Sequence, residues 1–204
     1  MKLSSWCSHD NVFRRNTDNG GVDSLVLDKM LKWDHPVILI PIDVFTKPIT
    51  LILNQSTLHM VLFDDAKKVS QDFELHGIQY DISDPRSYQA GVQFLEYFEG
   101  KRTVFDMPLD VSGTEFQMRV WKSLIEIPYG QTQSYAQIAK KIQNPMAYRA
   151  VGTSCGANPL PIIIPCHRVL ASNGSLGGYS GGLEIKRALL KHENLMLKKS
   201  MNQR

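Results

Sequence analysis

The stretch Asn158-Pro159-Leu160-Pro161-Ile162-Ile163-Ile164-Pro165-Cys166-His167-Arg168-Val169 constrains the fold more than any other part of the chain. Proline fixes φ and carries no N–H, so three prolines in seven residues stiffen the approach to Cys166. Within it, Ile162–Ile164 reads as a buried strand. A thiol, an imidazole and a guanidinium then stand side by side. A thiol becomes a nucleophile as thiolate, and a neighbouring imidazole or cation lowers its pKa from about 8.5. His167 can take the proton, directly or through a water, and Arg168 adds favourable charge. Such a base needs a third group to orient it, and a carboxylate is the usual choice. After Glu126 the chain has only Glu184 and Glu193, and that scarcity singles out Glu193, which ends a helix predicted over Leu183–His192. The plainer alternative for Pro-Cys-His-Arg is a structural turn around a buried thiol.

Beyond this stretch Gly174, Gly177, Gly178, Gly181 and Gly182 surround Tyr179 and Ser180. Glycines at this density permit tight turns and close backbone approach to a bound group. A planar ligand could lie against Tyr179 with backbone groups reading its edges. A phosphate-binding loop is excluded, because the lysine and the Ser/Thr ending it requires are missing.

Upstream, Thr114-Glu115-Phe116-Gln117 is a capping box opening a helix whose buried stripe is Phe116, Val120, Leu124 and Ile127. Ser134-Tyr135-Ala136-Gln137 is a second capping box, starting a short helix to about Ile142. Asn144-Pro145 then caps and starts another through Ser154. Two short helices around a tight turn form a helix-turn-helix candidate, although a helical hairpin in an ordinary bundle is commoner. Charge favours the first reading. Residues 1–110 carry 11 Lys/Arg against 16 Asp/Glu, a balance of −5, whereas residues 111–204 carry 12 against 4, a balance of +8. A basic half of this kind suits a polyanionic partner. The second helix has small residues at Ala147, Ala150 and Gly152, which suit close approach to a narrow groove better than base reading in the major groove. Arg149 projects from it far enough to enter a duplex.

The first half has no evident chemistry. Residues 1–22 read as a flexible polar tail, followed by a short helix near Ser24–Leu31. Val37–Phe45, Ile49–Leu53 and Leu58–Phe63 read as strands, the last two joined as a hairpin through Asn54-Gln55-Ser56-Thr57. Pro41 implies that the first strand is interrupted or lies at an edge. Asp84-Pro85 starts a helix presenting Tyr88, Val92, Leu95 and Phe98, and Gly100 stops it. The expected fold class is α+β: a small N-terminal α/β domain with a short antiparallel sheet, and a mostly helical C-terminal domain with a helix-turn-helix. The expected divisions are an extension over 1–36, the first domain over 37–108 and the second over 109–204. A 204-residue chain that is 43% hydrophobic can bury such cores. No apolar run approaches the roughly 18 residues of a membrane helix, and the first ten residues lack the apolar core of a secretory signal. A soluble protein without membrane contact is expected, cytoplasmic, or nuclear if its source is eukaryotic. Three cysteines, Cys7, Cys155 and Cys166, are too few for a disulfide framework.

Pro165-Cys166-His167-Arg168-Val169, Asn158-Pro159, Arg149-Ala150-Val151-Gly152 and Tyr179-Ser180-Gly181-Gly182-Leu183 together closely resemble the O6-alkylguanine-DNA alkyltransferases, also called methylated-DNA–protein-cysteine methyltransferases. Gly113–Gln117, Val120-Trp121 and Ile127-Pro128-Tyr129-Gly130 fit the same pattern. The resemblance runs unbroken over about residues 87–193 and is that of a stand-alone bacterial-type repair protein. It implies double-stranded DNA containing O6-alkylguanine, and O4-alkylthymine as well, as the partner, held through the minor groove by the helix with Ala147, Ala150 and Gly152. Arg149 would fill the gap left by the rotated nucleotide, and Tyr135 would assist that rotation. Backbone groups of Cys166 and Val169 would meet the exocyclic amine, with Tyr179 and the Ser180 amide at the alkylated edge. Cys166 would attack the alkyl carbon, His167 would take the thiol proton through a water, Glu193 would orient His167, and Asn158 would steady the turn. The resemblance implies no cofactor, a single irreversible turnover and a monomer in solution.

Certain relatives hold a zinc near the N-terminus; here Cys7 is the only thiol in that region and His9, His35, His59 and His76 have no ligand spacing, so no metal is expected. Cys155 is expected to pack rather than to accept an alkyl group, and Tyr148 is bulkier than the small residue expected beside the arginine. Two readings compete: a lesion-binding protein without chemistry, disfavoured by the presence of Cys166, His167 and Glu193, and a Cys-His-Glu hydrolase, disfavoured by the basic second half. The charge asymmetry predicts duplex affinity that falls about tenfold or more between about 50 and 200 mM salt, since two neutralised phosphates suffice for that slope. Equilibrium titration against salt checks it, and a flat response would contradict it.

Overall fold

In the computed structural model, which describes residues 22, 24–44 and 47–201, the β-branched segments of the first half pair into one four-stranded sheet. Its strands are β1 (Val37–Ile42), β2 (Ile49–Asn54), β3 (Thr57–Leu62) and β4 (Tyr80–Ile82), in the order β3-β2-β1-β4. The predicted hairpin is β2–β3, and Gln55 turns it with a φ of 53°. The sheet is mixed rather than wholly antiparallel, because β4 pairs parallel to β1. It covers only Val37–Leu39, so Pro41 lies past its end on an uninterrupted strand, where a missing N–H costs no ladder bond to β4.

Helices α1, spanning Ser24–Met30, and α2, spanning Ala66–Leu75, share one core with this sheet. Helix α1 buries Val26, Leu27 and Met30 in a cluster with Val37, Leu39, Ile52, Met60 and Phe73. Residues 24–36, expected to belong to the extension, are therefore part of the first core, because the apolar spacing of α1 gives it a face to bury. The polar tail over residues 1–21, Cys7 and His9 included, lies outside the described residues, as does Phe45. Helix α2 (Ala66–Leu75) has no counterpart among the expected elements, although Asp65 caps it and Ala66, Val69, Ser70 and Phe73 recur at helical spacing on its buried face. The Asp84-Pro85 start closes as a separate 3-10 turn, Pro85–Ser87, and α3 (Gln89–Phe98) begins after it. That break changes the helix phase: Ala90, Phe94 and Tyr97 are buried instead of Tyr88, Val92, Leu95 and Phe98.

The chain divides into units spanning residues 1–112 and 113–204. In the second, α4 (Glu115–Ile125) starts at the predicted capping box with both reciprocal bonds present. Its Trp121 is fully buried and donates from Nε1 to the Ser154 carbonyl at 2.8 Å, anchoring α6 (Tyr148–Gly156). Helix α5 (Tyr135–Lys141) also has its capping box, Ser134 with Gln137. It ends in a Schellman turn: the Asn144 amide donates to Ala139 at 2.9 Å, the Gln143 amide to Lys140 at 3.0 Å, and Gln143 takes a φ of 60°. Asn144-Pro145 occupies the turn after it rather than the helix start, so α6 begins three residues later than predicted, with Ala147 at its cap. Helix α7 (Leu183–Met201) runs past the predicted end and places Glu193 within it. The fold class is thus α+β, a small sheet unit and a helical unit with a helix-turn-helix.

The break before α3 is tight. A Cβ on Gly91 would stand 2.1 Å from the Pro85 carbonyl oxygen. Gly91→Ala is expected to lower stability by about 2 kcal/mol, the scale of overpacking a closed site, measured by urea denaturation; an unchanged midpoint would contradict the contact.

Candidate active site

The Ile162–Ile164 segment is a buried turn, not the strand expected from its composition. Pro161 and Ile164 bridge to each other, the Ile164 amide donates to the Leu160 carbonyl at 2.8 Å, and Ile162 takes a φ of 80°. A β-branched residue in that region costs about 1–3 kcal/mol and persists only where surrounding packing imposes it. Pro165, at φ −79° and ψ 62°, makes an inverse γ-turn closed by the Cys166 amide on the Ile164 carbonyl at 2.7 Å. Cys166–Arg168 then form one 3-10 turn, all three residues buried.

Asn158 holds this turn from inside. Fully buried, it donates from Nδ2 to the Ile164 carbonyl at 2.7 Å and to Cys166 Sγ at 3.1 Å, while its Oδ1 accepts from the Leu160 amide at 3.0 Å. Sγ therefore already receives one N–H, which stabilises developing thiolate charge.

Glu193 joins three segments. Its carboxylate accepts from His167 Nε2 at 2.8 Å, from Arg168 Nε at 3.0 Å and Nη2 at 2.9 Å, and from the Gly130 amide at 2.9 Å. Burial alone would raise its pKa, but the bonds from His167 and Arg168 outweigh burial and hold it below the usual carboxylate range. The carboxylate is thus ionised and acceptor-only, so His167 presents Nε2–H to it. Burial lowers the His167 pKa despite that partner and keeps the ring neutral. Nδ1 then carries the lone pair, and it is buried without a hydrogen bond among the described residues. Arg168 differs from expectation: its guanidinium grips Glu193 and donates from Nη1 to the Ile127 carbonyl at 2.7 Å rather than serving the thiol.

A two-stranded parallel pair, β5 (Gln133–Ser134) with β6 (Val169–Leu170), fixes the start of α5 beside the thiol turn. Tyr135 is half-buried between α6 and the glycine loop. A Cβ on Gly152 would lie 3.8 Å from its ring, and one on Gly177 2.8 Å from its hydroxyl oxygen. Gly177 also has a φ of 64°, so glycine is required there for both reasons. Burial pushes the Tyr135 pKa up to about 12, leaving its hydroxyl a donor at neutral pH. Tyr179 and Ser180 are half-buried on the same loop, and Val169 is buried. Arg149 and Ala150 are exposed, with Ala147 and Gly152 half-buried, so this stretch of α6 leaves an open surface of small residues around one long cation. The exposed Tyr148 ring lies 5.7 Å beneath the Arg149 guanidinium. Cys155 is buried on α6, and burial raises its pKa as for a packing thiol.

Sequence reasoning missed Lys186. It is fully buried near the pocket, and the available signal was its spacing with Leu189 and Glu193, which puts it on the inner face of α7. No group of three or more potential metal ligands occurs among the described residues.

Two family models match the chain: the DNA-binding domain of 6-O-methylguanine DNA methyltransferase over residues 115–195, and the ribonuclease-like domain of the same enzyme over residues 43–111. A methylated-DNA–protein-cysteine methyltransferase of Methanosarcina mazei is 45% identical over 154 residues, covering 74% of this chain and 93% of that protein. Its namesake in Mycobacterium tuberculosis is 53% identical over 111 residues, 54% of this chain and 67% of that one. Among solved structures, the M. tuberculosis O6-methylguanine methyltransferase superposes with a TM-score of 0.68 at 42% identity, covering 78% of this chain and 94% of its own. The M. tuberculosis protein OGT in complex with DNA gives 0.67 at 41%, with coverage of 78% and 94%.

A folded-state pKa below the unfolded value means stability that is present above the unfolded pKa and lost on acidification. For His167 that loss starts below about 6.5, at no more than about 1.4 kcal/mol per pH unit; for Glu193 it starts below 4.5. Urea midpoints between pH 7.5 and 5 should fall for the wild type and more shallowly for His167→Gln. Equal slopes would contradict a buried neutral imidazole.

Proposed function

The chain belongs to the 6-O-methylguanine DNA methyltransferase family, and from that premise we propose that it repairs DNA by moving the alkyl group of O6-alkylguanine, and of O4-alkylthymine, irreversibly onto its own Cys166. The observation that carries the reading is the pairing of an ionised Glu193 with a neutral His167 whose Nδ1 is left to accept a proton, one residue from a thiol that Asn158 already serves with an N–H.

DNA is the partner, engaged by the helical unit. The small residues Ala147, Ala150 and Gly152 suit α6 to the minor groove, where their size lets the backbone approach sugar and phosphate. Arg149, exposed on that surface, enters the stack as the damaged nucleotide rotates out, offsetting a flipping cost of a few kcal/mol. The hydroxyl of Tyr135 donates to the base as it turns. The extrahelical guanine then lies between Tyr135, the Val169 carbonyl and the Tyr179–Ser180 segment.

His167 takes the Cys166 proton through a water, and Glu193 stabilises the imidazolium that results. The thiolate attacks the alkyl carbon in line with O6. The S–C bond forms as the C–O6 bond breaks, its electron pair leaving on guanine, and the Tyr135 hydroxyl stands beside the base to hydrogen-bond the departing anion. The alkyl group comes from DNA and stays on the protein, so the chemistry needs no cofactor. A thioether has no ready leaving path, which limits each monomeric molecule to one event.

Intact-protein mass spectrometry after incubation with a duplex containing O6-methylguanine tests this. One methylene equivalent, located on Cys166 and never exceeding one per molecule, is the expected result. Cys166→Ser should bind duplex and transfer nothing, and His167→Ala should slow transfer about 100-fold or more, the usual worth of a positioned base. Tight binding of the alkylated duplex by the wild type with the lesion unchanged would leave recognition without chemistry.

A further inference from the structure

Tyr148 is a large aromatic side chain left 42% exposed at the start of α6, on a helix whose outer residues Ala150 and Gly152 are small. An exposed ring adds little to the core, so packing does not account for its presence. What the ring does touch is Arg149, whose guanidinium carbon lies 5.7 Å from its centroid. The Arg149 side chain has no hydrogen bond or ion pair among the described residues, so this ring is the contact that gives it a place. A long exposed arginine otherwise spreads over many rotamers, and that freedom is lost when it enters a duplex. A ring beneath it removes part of that freedom beforehand.

The ring also stands on the side of α6 that the site uses. Residues four apart share a helix face, so Tyr148 lies one turn before Gly152, where an added Cβ would touch the Tyr135 ring at 3.8 Å. Helical side chains lean towards the N-terminus, which carries the phenol towards the Asn144–Ala147 turn. That turn is closed by the Ala147 amide on the Asn144 carbonyl at 3.0 Å. Tyr148 and Arg149 thus sit together at the leading end of α6, on the approach to Tyr135. Attraction between a cation and an aromatic face is weak in water and strengthens when both are desolvated. The contact therefore contributes more inside a duplex than on the free protein, and so favours the state in which Arg149 has entered the stack.

Resting on the reading of α6 as the helix that meets the minor groove, we propose that Tyr148 is a positioning residue for Arg149: its ring aims the guanidinium at the duplex and stays packed against it there, so that a cation–ring pair, not a lone side chain, replaces the rotated nucleotide. Bulk beside the arginine, where a small residue was expected, thereby has a use. Proteins that kink DNA through the minor groove insert wedges of comparable size between base steps.

Single-turnover alkylation of Cys166 by O6-methylguanine, presented in a duplex and in a single strand of the same sequence, tests the pair in Tyr148→Ala, Tyr148→Leu and Tyr148→Phe. A base in a single strand has little stacking to leave, so Arg149 and its ring matter for the duplex alone. At saturating duplex the rate constant of the Ala and Leu variants should fall about tenfold, the scale of one desolvated cation–π contact. Their single-strand rate and their affinity for undamaged duplex should stay within about twofold of wild type, since phosphate contacts carry that affinity. Tyr148→Phe keeps the aromatic face and should stay within about threefold on the duplex. Tyr148→Ala added to Arg149→Ala should slow the duplex reaction no further than Arg149→Ala alone, because the ring acts through the arginine. Equal losses on duplex and single strand mark a merely structural tyrosine and would overturn the proposal. So would a Leu variant that matches the Phe variant on the duplex, or an additive double variant. If the wild type alkylates neither substrate, the functional reading fails instead. The fluorescence of a 2-aminopurine placed 3′ to the lesion then reports rotation without transfer: a smaller increase with Tyr148→Leu than with Tyr148→Phe supports the pair, and equal increases refute it.

Discussion

The ionised carboxylate of Glu193 is the interaction on which the helical unit depends. A buried charge is tolerable only when donors surround it, and this one draws them from two places, the turn after α4 through Gly130 and the thiol turn through His167 and Arg168, and joins both to its own helix α7. Satisfying one carboxylate therefore fixes where three segments meet. It also settles the chemistry of His167, since an acceptor-only partner determines which ring nitrogen carries the proton. Arg168 completes the set by reaching the Ile127 carbonyl, just past the end of α4.

The thiol sits on backbone that is unfavourable by itself. Ile162 lies in the left-handed region and Pro165 in an inverse γ-turn. Such conformations hold because Asn158 bonds to both arms of the turn from a fully buried position, and because Leu160 and Ile164 are wholly enclosed. The same arrangement delivers an N–H to Sγ, so the device that stabilises the strained turn also prepares the nucleophile.

Chemistry and recognition are separated within the unit. The proton-handling groups are buried, where low polarity strengthens each hydrogen bond, whereas Arg149 and Ala150 of α6 are exposed and Gly152 is half-buried. Tyr135 stands between the two, half-buried, with α6 on one side and the glycine loop on the other. An enclosed site that acts on a base inside a duplex requires this arrangement, because the base has to travel from the exposed surface to the buried sulfur.

Both capping boxes, the β2–β3 hairpin and the Pro-Cys-His-Arg turn with its glycine loop were legible from sequence, since each depends on residues within a few positions of one another. Scarcity of acids singled out Glu193 across 26 residues, and the structure joins it to His167. What sequence left open depended on distant partners. Apolar composition suggested a strand at Ile162–Ile164, yet Asn158 and the prolines impose a turn. The phase of α3 came from the steric demand of Pro85 on Gly91, and the parallel pairing of β4 from a crossover that no local pattern encodes. Arg168 was placed with the thiol because they are neighbours in the chain, but its guanidinium satisfies Glu193. Lys186 was invisible for the same reason. The sequence by itself determined which reactive groups stand together along the chain and where the helices that flank them are capped; only the tertiary structure decided which buried charge meets which acceptor, because that choice depends on desolvation, and desolvation exists only once the chain has closed.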